Sequence, residues 1–263
     1  MEDVPVVILA GGLGMRIREE TEFRPKPMIP IGGHPILWHI MRMYSHHGFK
    51  RFLLCLGYKG EVIKDYFLHY DALRSDFTIR FGRRKDLRFH DRLPESGWTV
   101  TLADTGRESM TGARLQRAGR YLRSKTFMLT YGDGLADVDL RALLRFHRAH
   151  GKLATVTGVS PPSRFGELVT RGRRVARFTE KPSGRDRQIN GGFFVLERRA
   201  LSYLSSDPSC SFEREPLERL AADGQLMVYE HRGFWQCLDT MRDLARLVEL
   251  WEGGEAPWKV WKD

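Results

Sequence analysis

Cysteine is scarce in this 263-residue chain: Cys55, Cys210 and Cys237 are odd in number, far apart, and form no C-x-x-C pair. This excludes a disulfide-stapled scaffold and a cysteine zinc site, and it fits a reducing compartment, the cytoplasm. No apolar run is long enough to span a bilayer, and the N-terminal stretch turns from acidic to apolar only for the length of a strand. Neither a membrane span nor a secretory leader is therefore expected. Low-complexity tracts and fixed-period repeats are also absent, which sets aside disorder and solenoids. The nine histidines form no recognisable metal cluster. His147 and His150 share i, i+3 spacing without a nearby acidic partner, so surface or core positions are expected of them.

Acidic charge is in short supply as well: 33 carboxylates face 43 lysines and arginines, leaving a net charge of +10. Such a balance attracts polyanions, but charge alone does not separate nucleotide, nucleic acid and anionic membrane. The basic clusters Arg83-Arg84-Lys85 and Arg171-Gly172-Arg173-Arg174 sit among turn residues and read as solvated faces. No nucleic-acid-binding motif is present, and neither a nucleic acid nor a membrane is expected as partner.

What the chain does carry is alternation of strand and helix. Val4 to Ala10 is a near-continuous apolar run, as in a strand buried on both faces of a parallel sheet, and it stops at Gly11-Gly12. Pro35 opens PILWHIMRMYSHHG, whose apolar residues recur at helical spacing up to Gly48. RFLLCL then reads as a second buried strand and GEVIKDYFLHY as a second helix, and this βαβα order implies right-handed crossovers. From Phe77 to Ala103 the rhythm changes to FTIRF and WTVTLA around a basic connector, an inserted β arm. A helix near Gly112 to Leu122, the strand TFMLT and a helix from Val138 to His150 restore the alternation. After Gly151 the chain is β-rich (LATVTGV, ELVT, RVARFTE, INGGFFVL), and helices near Glu213 to Ala222 and Met241 to Trp251 precede a Trp-rich tail. The fold expected is α/β, a Rossmann-like, mostly parallel sheet flanked by helices. It forms a single domain over 1–263 in two halves that meet at about 150, the first carrying the β arm near 77–103.

Two templates for a phosphate loop fail at the first strand's exit. G-x-x-x-x-G-K-[ST] is missing, and G-x-G-x-x-G breaks because Ile17 stands where the last glycine belongs. What remains is Gly11-Gly12-Leu13-Gly14, then Arg16, and Lys26 held between Pro25 and Pro27. Glycines let an anion approach backbone N–H groups, and prolines stiffen the backbone beneath the lysine, so this stretch is read as a phosphate cradle with paired cations. Asp133, in Tyr131-Gly132-Asp133-Gly134, follows a strand directly, where ligands gather in open α/β sheets. Beside a triphosphate it is a natural Mg²⁺ ligand, although a plain G-D-G turn has the same sequence. Asp239 is a second such carboxylate, immediately before a helix that it would equally suit as N-cap. Lys181 suits a second phosphate, Glu180 and Asn190 suit hydroxyls, and Gly191 would allow close approach of a ring.

Taken in order, LAGGLGMR, RPKPM, GGHPILWHIM, CLGYKGEVIKDYF, DTGRESMTGARL, TYGDGLADVD, EKP, INGGFFVL, GFWQCLDTMRDL and PWKVW resemble the glucose-1-phosphate cytidylyltransferases, a branch of the sugar-phosphate nucleotidyltransferases. The resemblance runs from about Val6 to Trp261. The glycine loop, Pro-Lys and G-D are shared by nucleotidyltransferases in general. Glu19-Glu20-Thr21, GYKG, S-M-T-G and the PWK tail single out the cytidylyl branch, whose thymidylyl and uridylyl sisters carry Leu-x-Pro-x-Thr near Ile17.

The resemblance implies an Mg²⁺-dependent enzyme that joins CTP to α-D-glucose 1-phosphate, giving CDP-glucose and pyrophosphate by in-line attack without a covalent intermediate. By the same resemblance Leu9, Ala10, Gly11, Gly12 and Leu13, with Gly14 and Met15, bind nucleotide. Arg16 and Lys26 neutralise phosphate charge, Ser109 and Arg114 contact the nucleotide, and Gly132 lines the site. The resemblance further implies that Asp133 and Asp239 hold Mg²⁺ and that Lys181 and Asn190, with Glu180 and Gly191, take the sugar phosphate, which makes the half to about 150 the nucleotide-binding half and the half from about 151 the sugar-phosphate-binding half. Relatives are oligomers, so a homo-oligomer is expected, with the arm and Trp258 and Trp261 as subunit contacts. Alternatives of the same pattern are another sugar 1-phosphate, another pyrimidine triphosphate, or a nucleotide-binding homologue without catalysis. The chain departs from the family at Met15, where threonine is usual, at Arg107-Glu108, at Ala113 in place of glycine, and at Glu167.

Overall fold

Alternate residues of the first strand, β1 (Val6–Leu9), enter two different cores. Val6 and Ile8 join one apolar cluster and Val7 and Leu9 the other, because successive side chains point to opposite faces of a sheet. A strand covered on both faces needs no polar positions, which is why VVIL is uninterrupted. The computed structural model describes residues 4–82, 86–160, 167–179 and 188–262.

In chain order the elements after β1 are α1 (Arg18–Thr21), the short pair β2 (Pro30–Ile31) and β3 (His34–Pro35), α2 (Ile36–His46), β4 (Arg51–Leu56), α3 (Gly60–Leu68) and α4 (Tyr70–Arg74). The arm strands β5 (Phe77–Arg80) and β6 (Asp86–Phe89) follow, then β7 (Thr99–Asp104), α5 (Thr111–Ala118), β8 (Thr126–Tyr131), β9 (Gly134–Ala136) and α6 (Leu140–His150). The remainder comprises β10 (Ala154–Val159), β11 (Glu167–Arg171), β12 (Arg174–Thr179), β13 (Ile189–Glu197), α7 (Glu215–Ala222), β14 (Leu226–His231), β15 (Trp235–Cys237) and α8 (Met241–Glu252).

Seven strands form one sheet in the order β14-β10-β13-β8-β1-β4-β7, and β13 alone runs antiparallel to its neighbours β8 and β10. The expected mostly parallel, Rossmann-like sheet is thus present. From β1 the chain moves outward to β4 and β7, then returns to place β8 on the other side of β1. That reversal opens a crevice at the carboxyl ends of β1 and β8, where the glycine loop and Asp133 begin. Helix ends follow local chemistry. Asp139 caps α6 by accepting from Ala142 N, and α6 stops at Gly151 with φ 67°, a conformation glycine adopts without strain. Thr240 and Asp243 form a reciprocal capping box on α8.

The structure corrects several sequence expectations. WTVTLA is not part of the arm: as β7 it pairs in parallel with β4 and ends the main sheet, so the arm is the β5–β6 hairpin alone. GEVIKDYFLHY breaks at His69 into α3 and α4, and the helix expected to reach Leu122 ends at Ala118 and tightens into a 3₁₀ turn over Gly119–Tyr121. His147 has an acidic neighbour after all, because β13 brings Glu197 Oε1 to 3.5 Å from its Nε2.

The Trp-rich tail is the clearest reversal. Trp258 is fully buried and Trp261 nearly so, packed against this chain's own His39, Trp38 and Trp251 rather than offered to another subunit. His39 Nε2 donates to Ile31 O (2.9 Å) and its Nδ1 accepts from Trp258 Nε1 (3.3 Å), so the ring is neutral in this setting. Burial lowers its pKa from 6.5 to about 4. The folded state then binds fewer protons than the unfolded chain between these values, so stability is complete above about pH 6.5 and falls as pH drops toward 4. At pH 5 His39 alone is expected to lower stability by about 2 kcal/mol relative to pH 7. Urea midpoints at the two pH values check this, and His39→Gln should flatten the difference.

Candidate active site

The glycine loop is shaped from beneath. Arg114, on α5 and only 4% exposed, sends Nη2 to Gly11 O (2.8 Å) and Arg107 O (3.1 Å), and Nη1 to Leu56 O (3.0 Å) and Gly106 O (2.7 Å). One guanidinium therefore ties the loops after β1, β4 and β7 together. A Cβ on Gly11 would lie 2.4 Å from Arg114 Nη1, and one on Gly57 2.2 Å from the same atom. The bareness of Gly11 thus admits an arginine from behind, whereas Gly12 has open space on its side. Gly14 takes φ 63° and turns the chain into the 3₁₀ turn Met15–Ile17, and Thr21 Oγ1 donates to Gly14 O (3.2 Å) to close the turn.

Lys26 follows Pro25 in a rigid turn, and its ammonium stands between two carboxylates. Nζ donates to Asp133 Oδ2 (2.6 Å) and Asp239 Oδ1 (2.7 Å). Burial pulls the Lys26 pKa down, but the two carboxylates outweigh it and hold it above the ordinary lysine value. For Asp239 burial acts upward, and the hydrogen bond and charge of Lys26, with smaller help from Cys237 and Arg16, bring it below the usual carboxylate range. Arg16 Nη2 also meets Asp239 Oδ1 at 2.8 Å, yet its side chain is 74% exposed. An exposed pair of this kind adds at most about 1 kcal/mol, so Arg16 is free to leave for a ligand. Lys26, 12% exposed, is not.

Backbone register brings these groups together. Gly132 N donates to Leu9 O (3.0 Å), and a Cβ there would clash with Pro27 and with that carbonyl, so only glycine lets β8 exit against the loop. Antiparallel pairing of β15 with β9 and the bond from Leu238 N to Asp133 O (2.8 Å) set Asp239 beside Asp133. Thr240, not Asp239, caps α8, which leaves the Asp239 carboxylate to the site. Cys237 Sγ lies 3.3 Å from Asp239 Oδ2, and burial with the neighbouring carboxylates pushes its pKa up to about 12, so it remains a thiol.

These groups line a cleft of about 700 Å³ containing every residue from Leu9 to Arg16, with Lys26, Ser109, Arg114, Gly132, Asp133 and Asp239. Met15 stands at the mouth, 75% exposed. Ser109 is buried and accepts from Arg117 Nη1 (2.7 Å). Asn190 reaches the cleft through Tyr131, donating from Nδ2 to its Oη at 3.2 Å. Gly191 is packed closely against β10: a Cβ would meet Val159 Cγ1 at 2.7 Å and Thr157 O at 3.0 Å. Glu180 and Lys181 lie outside the described residues. Tyr131, Thr111 and Trp235 also line the cleft and were not singled out by sequence reasoning. Tyr131 had a usable signal, its place directly after a strand, and Thr111 and Trp235 stood within the S-M-T-G and GFWQCLDTMRDL segments with no role attached to them. Among the described residues no three His, Cys, Asp or Glu gather into a metal-holding group.

A family model described as nucleotidyl transferase matches residues 5–253. The chain belongs to the nucleotidyl transferase family. Within it, this transferase is similar to the glucose-1-phosphate cytidylyltransferase of Salmonella typhimurium (strain LT2), 52% identical over 257 residues that cover 97% of this chain and 99% of that one. It is 44% identical over 255 residues to a probable glucose-1-phosphate cytidylyltransferase of Bacillus subtilis (strain 168), covering 97% and 99%. The crystal structure of HddC from Yersinia pseudotuberculosis shares the transferase's fold with a TM-score of 0.68 at 22% identity, covering 94% of this chain and 99% of that one. The transferase is an enzyme of nucleotidyl transfer. No helix among its described residues is long and apolar enough to cross a membrane.

Replacing Arg114 by Lys keeps the charge but cannot reach carbonyls on three loops at once. Arg114→Lys is expected to lower stability by about 3 kcal/mol and to weaken nucleotide binding. Chemical denaturation and nucleotide titration of the same sample measure both.

Proposed function

We propose that the enzyme transfers the cytidylyl group of CTP to α-D-glucose 1-phosphate, releasing pyrophosphate and forming CDP-glucose. The single observation that carries this reading is the pair of carboxylates, Asp133 and Asp239, gathered with Lys26 and Arg16 against the glycine loop. Transfer to a sugar 1-phosphate is common to the named relatives, and the choice of cytidine and glucose follows those at 52% and 44% identity.

In this reaction a phosphate oxygen of the sugar phosphate forms a bond to the α-phosphorus of CTP as the bond to pyrophosphate breaks in line. No protein nucleophile is needed, so the residues position reactants and neutralise charge. The loop from Gly11 to Gly14 offers backbone N–H groups on the nucleotide side, with open space at Gly12. Arg16 and Lys26 balance the triphosphate, and Lys26, stiffened by Pro25 and Pro27, does so with little reorganisation. The donor set fits Mg²⁺, which favours hard oxygens shared between one or two carboxylates and substrate phosphates; the nearby Cys237 stays protonated and does not compete. Bound by Asp133 and Asp239, Mg²⁺ would supply further neutralisation of phosphate charge. Lys181, Glu180 and Asn190 are assigned to the sugar phosphate by family pattern, and residues from about 151 onward form the sugar-phosphate half. A homo-oligomer in the cytoplasm completes the proposal, supported by exposed Phe77, Phe81, Leu87 and Phe89 on the β5–β6 arm.

Pyrophosphate release with Mg²⁺, glucose 1-phosphate and each of CTP, UTP, dTTP, ATP and GTP tests the reading. CTP should dominate, and equal turnover with UTP or dTTP would overturn the cytidylyl assignment. Asp133→Ala and Asp239→Ala should each lower kcat by about a thousandfold, the scale of losing a preorganised charge partner at the reacting phosphates. Met15→Thr restores a hydroxyl donor at the cleft mouth and is expected to lower the KM for CTP about fivefold, as one hydrogen bond to an anion would.

A further inference from the structure

The wall of the cleft near Asn190 contains a chain of hydrogen bonds whose direction is determined at every link. Gly192 N donates to Asn190 Oδ1 (2.8 Å), which fixes the amide and turns Nδ2 toward Tyr131. Asn190 Nδ2 donates to Tyr131 Oη, so the phenol accepts there, and its one proton passes to Glu213 Oε1 (2.8 Å). On the other carboxylate oxygen, Thr111 Oγ1 (2.6 Å) and Ser211 Oγ (2.8 Å) both donate. An ionised carboxylate only accepts, so every bond runs toward Glu213.

This polarity decides what the wall offers to a ligand. Asn190 keeps one unspent Nδ2 hydrogen, and Tyr131, its proton committed, presents a lone pair. A sugar hydroxyl answers both, accepting from the amide and donating to the phenol, whereas a deoxy position answers neither. Without Glu213 the phenol proton cannot turn to Asn190 Nδ2, which has no lone pair, so it would face the cleft and set two donors side by side. The loop carrying Glu213 is held independently of its carboxylate: Met110 N donates to Pro208 O (2.8 Å), Ala113 N to Cys210 O (3.1 Å), and Phe212 N to Thr111 Oγ1 (2.9 Å).

The geometry points to Glu213 as a positioning residue for sugar specificity, one that holds Tyr131 as acceptor and Asn190 as donor toward a hydroxyl of the sugar 1-phosphate. This rests on the proposed reaction, in which that wall receives the sugar. Thr111 links the same carboxylate to the nucleotide wall, but its bond from Phe212 N survives loss of Glu213, so the effect falls on the sugar side.

The test measures KM for glucose 1-phosphate and for CTP with the full-length wild type, Glu213→Ala, Tyr131→Phe and the double variant. Glu213→Ala should raise the sugar-phosphate KM roughly tenfold and leave that for CTP within about twofold, the scale of one oriented hydrogen bond. Tyr131→Phe should do the same, the double variant should be no worse than either single one, and Glu213→Gln, whose Oε1 still accepts from Tyr131, should recover most of the loss. An unchanged sugar KM in Glu213→Ala, additive losses in the double variant, or equal rises in both KM values would overturn the inference. If the wild type makes no product from CTP and glucose 1-phosphate, the proposed reaction fails instead. Glu213 is then judged by calorimetric binding of glucose 1-phosphate, where equal affinity of wild type and Glu213→Ala sinks it.

Discussion

The ammonium of Lys26, held between Asp133 and Asp239, is the interaction on which the site depends. Its partners lie 107 and 213 residues away, so the contact joins the loop after β1, the exit of β8 and the end of β15. Two carboxylates so close would repel without a cation between them, and the largely buried Lys26 supplies it. Removing one member of such a cluster leaves uncompensated charge, a penalty on the scale of about 3–5 kcal/mol. The same arrangement that stabilises the free cleft stores the charges that phosphate transfer uses.

Arg114 is the counterpart on the underside. It contributes no charge at the cleft's mouth but organises carbonyls of three loops, and glycines at 11 and 57 exist in part to make room for it. Burial lowers its pKa, with Arg117 acting in the same direction and Cys55, Asp104 and Glu108 opposing, and the surrounding carbonyls offset the desolvation with hydrogen bonds. The sheet brings the loops into range, and the guanidinium fixes their spacing. Around α2 the chain uses a different solution, in which a neutral His39 orders four tryptophans and fastens the C-terminal segment to that helix.

Much of this was legible in the chain. Uninterrupted VVIL and RFLLCL announced strands covered on both faces, and their order with PILWHIM announced a parallel sheet. Gly11 to Gly14 and Asp133 are recognisable because each sits at a strand exit, where an open α/β sheet collects its ligand, and Lys26 because prolines flank it on both sides. The β5–β6 arm and β7 were merged because an edge strand facing solvent alternates like a hairpin strand, and only pairing with β4 distinguishes them. The tryptophans of the tail looked like interface residues because sequence does not say which apolar surface they cover.

The sequence by itself determined most of the strands and helices and the kinds of charge available for chemistry, since these follow from periodicity and side-chain type over short spans. The tertiary structure alone decided which charges meet. That Asp239 serves Lys26 while Thr240 caps α8, that Arg114 faces carbonyls, and that Glu213 collects the protons of Tyr131 and Thr111 all depend on contacts between residues far apart in the chain. Such contacts are set by strand register and loop geometry, and no local pattern of residues encodes them.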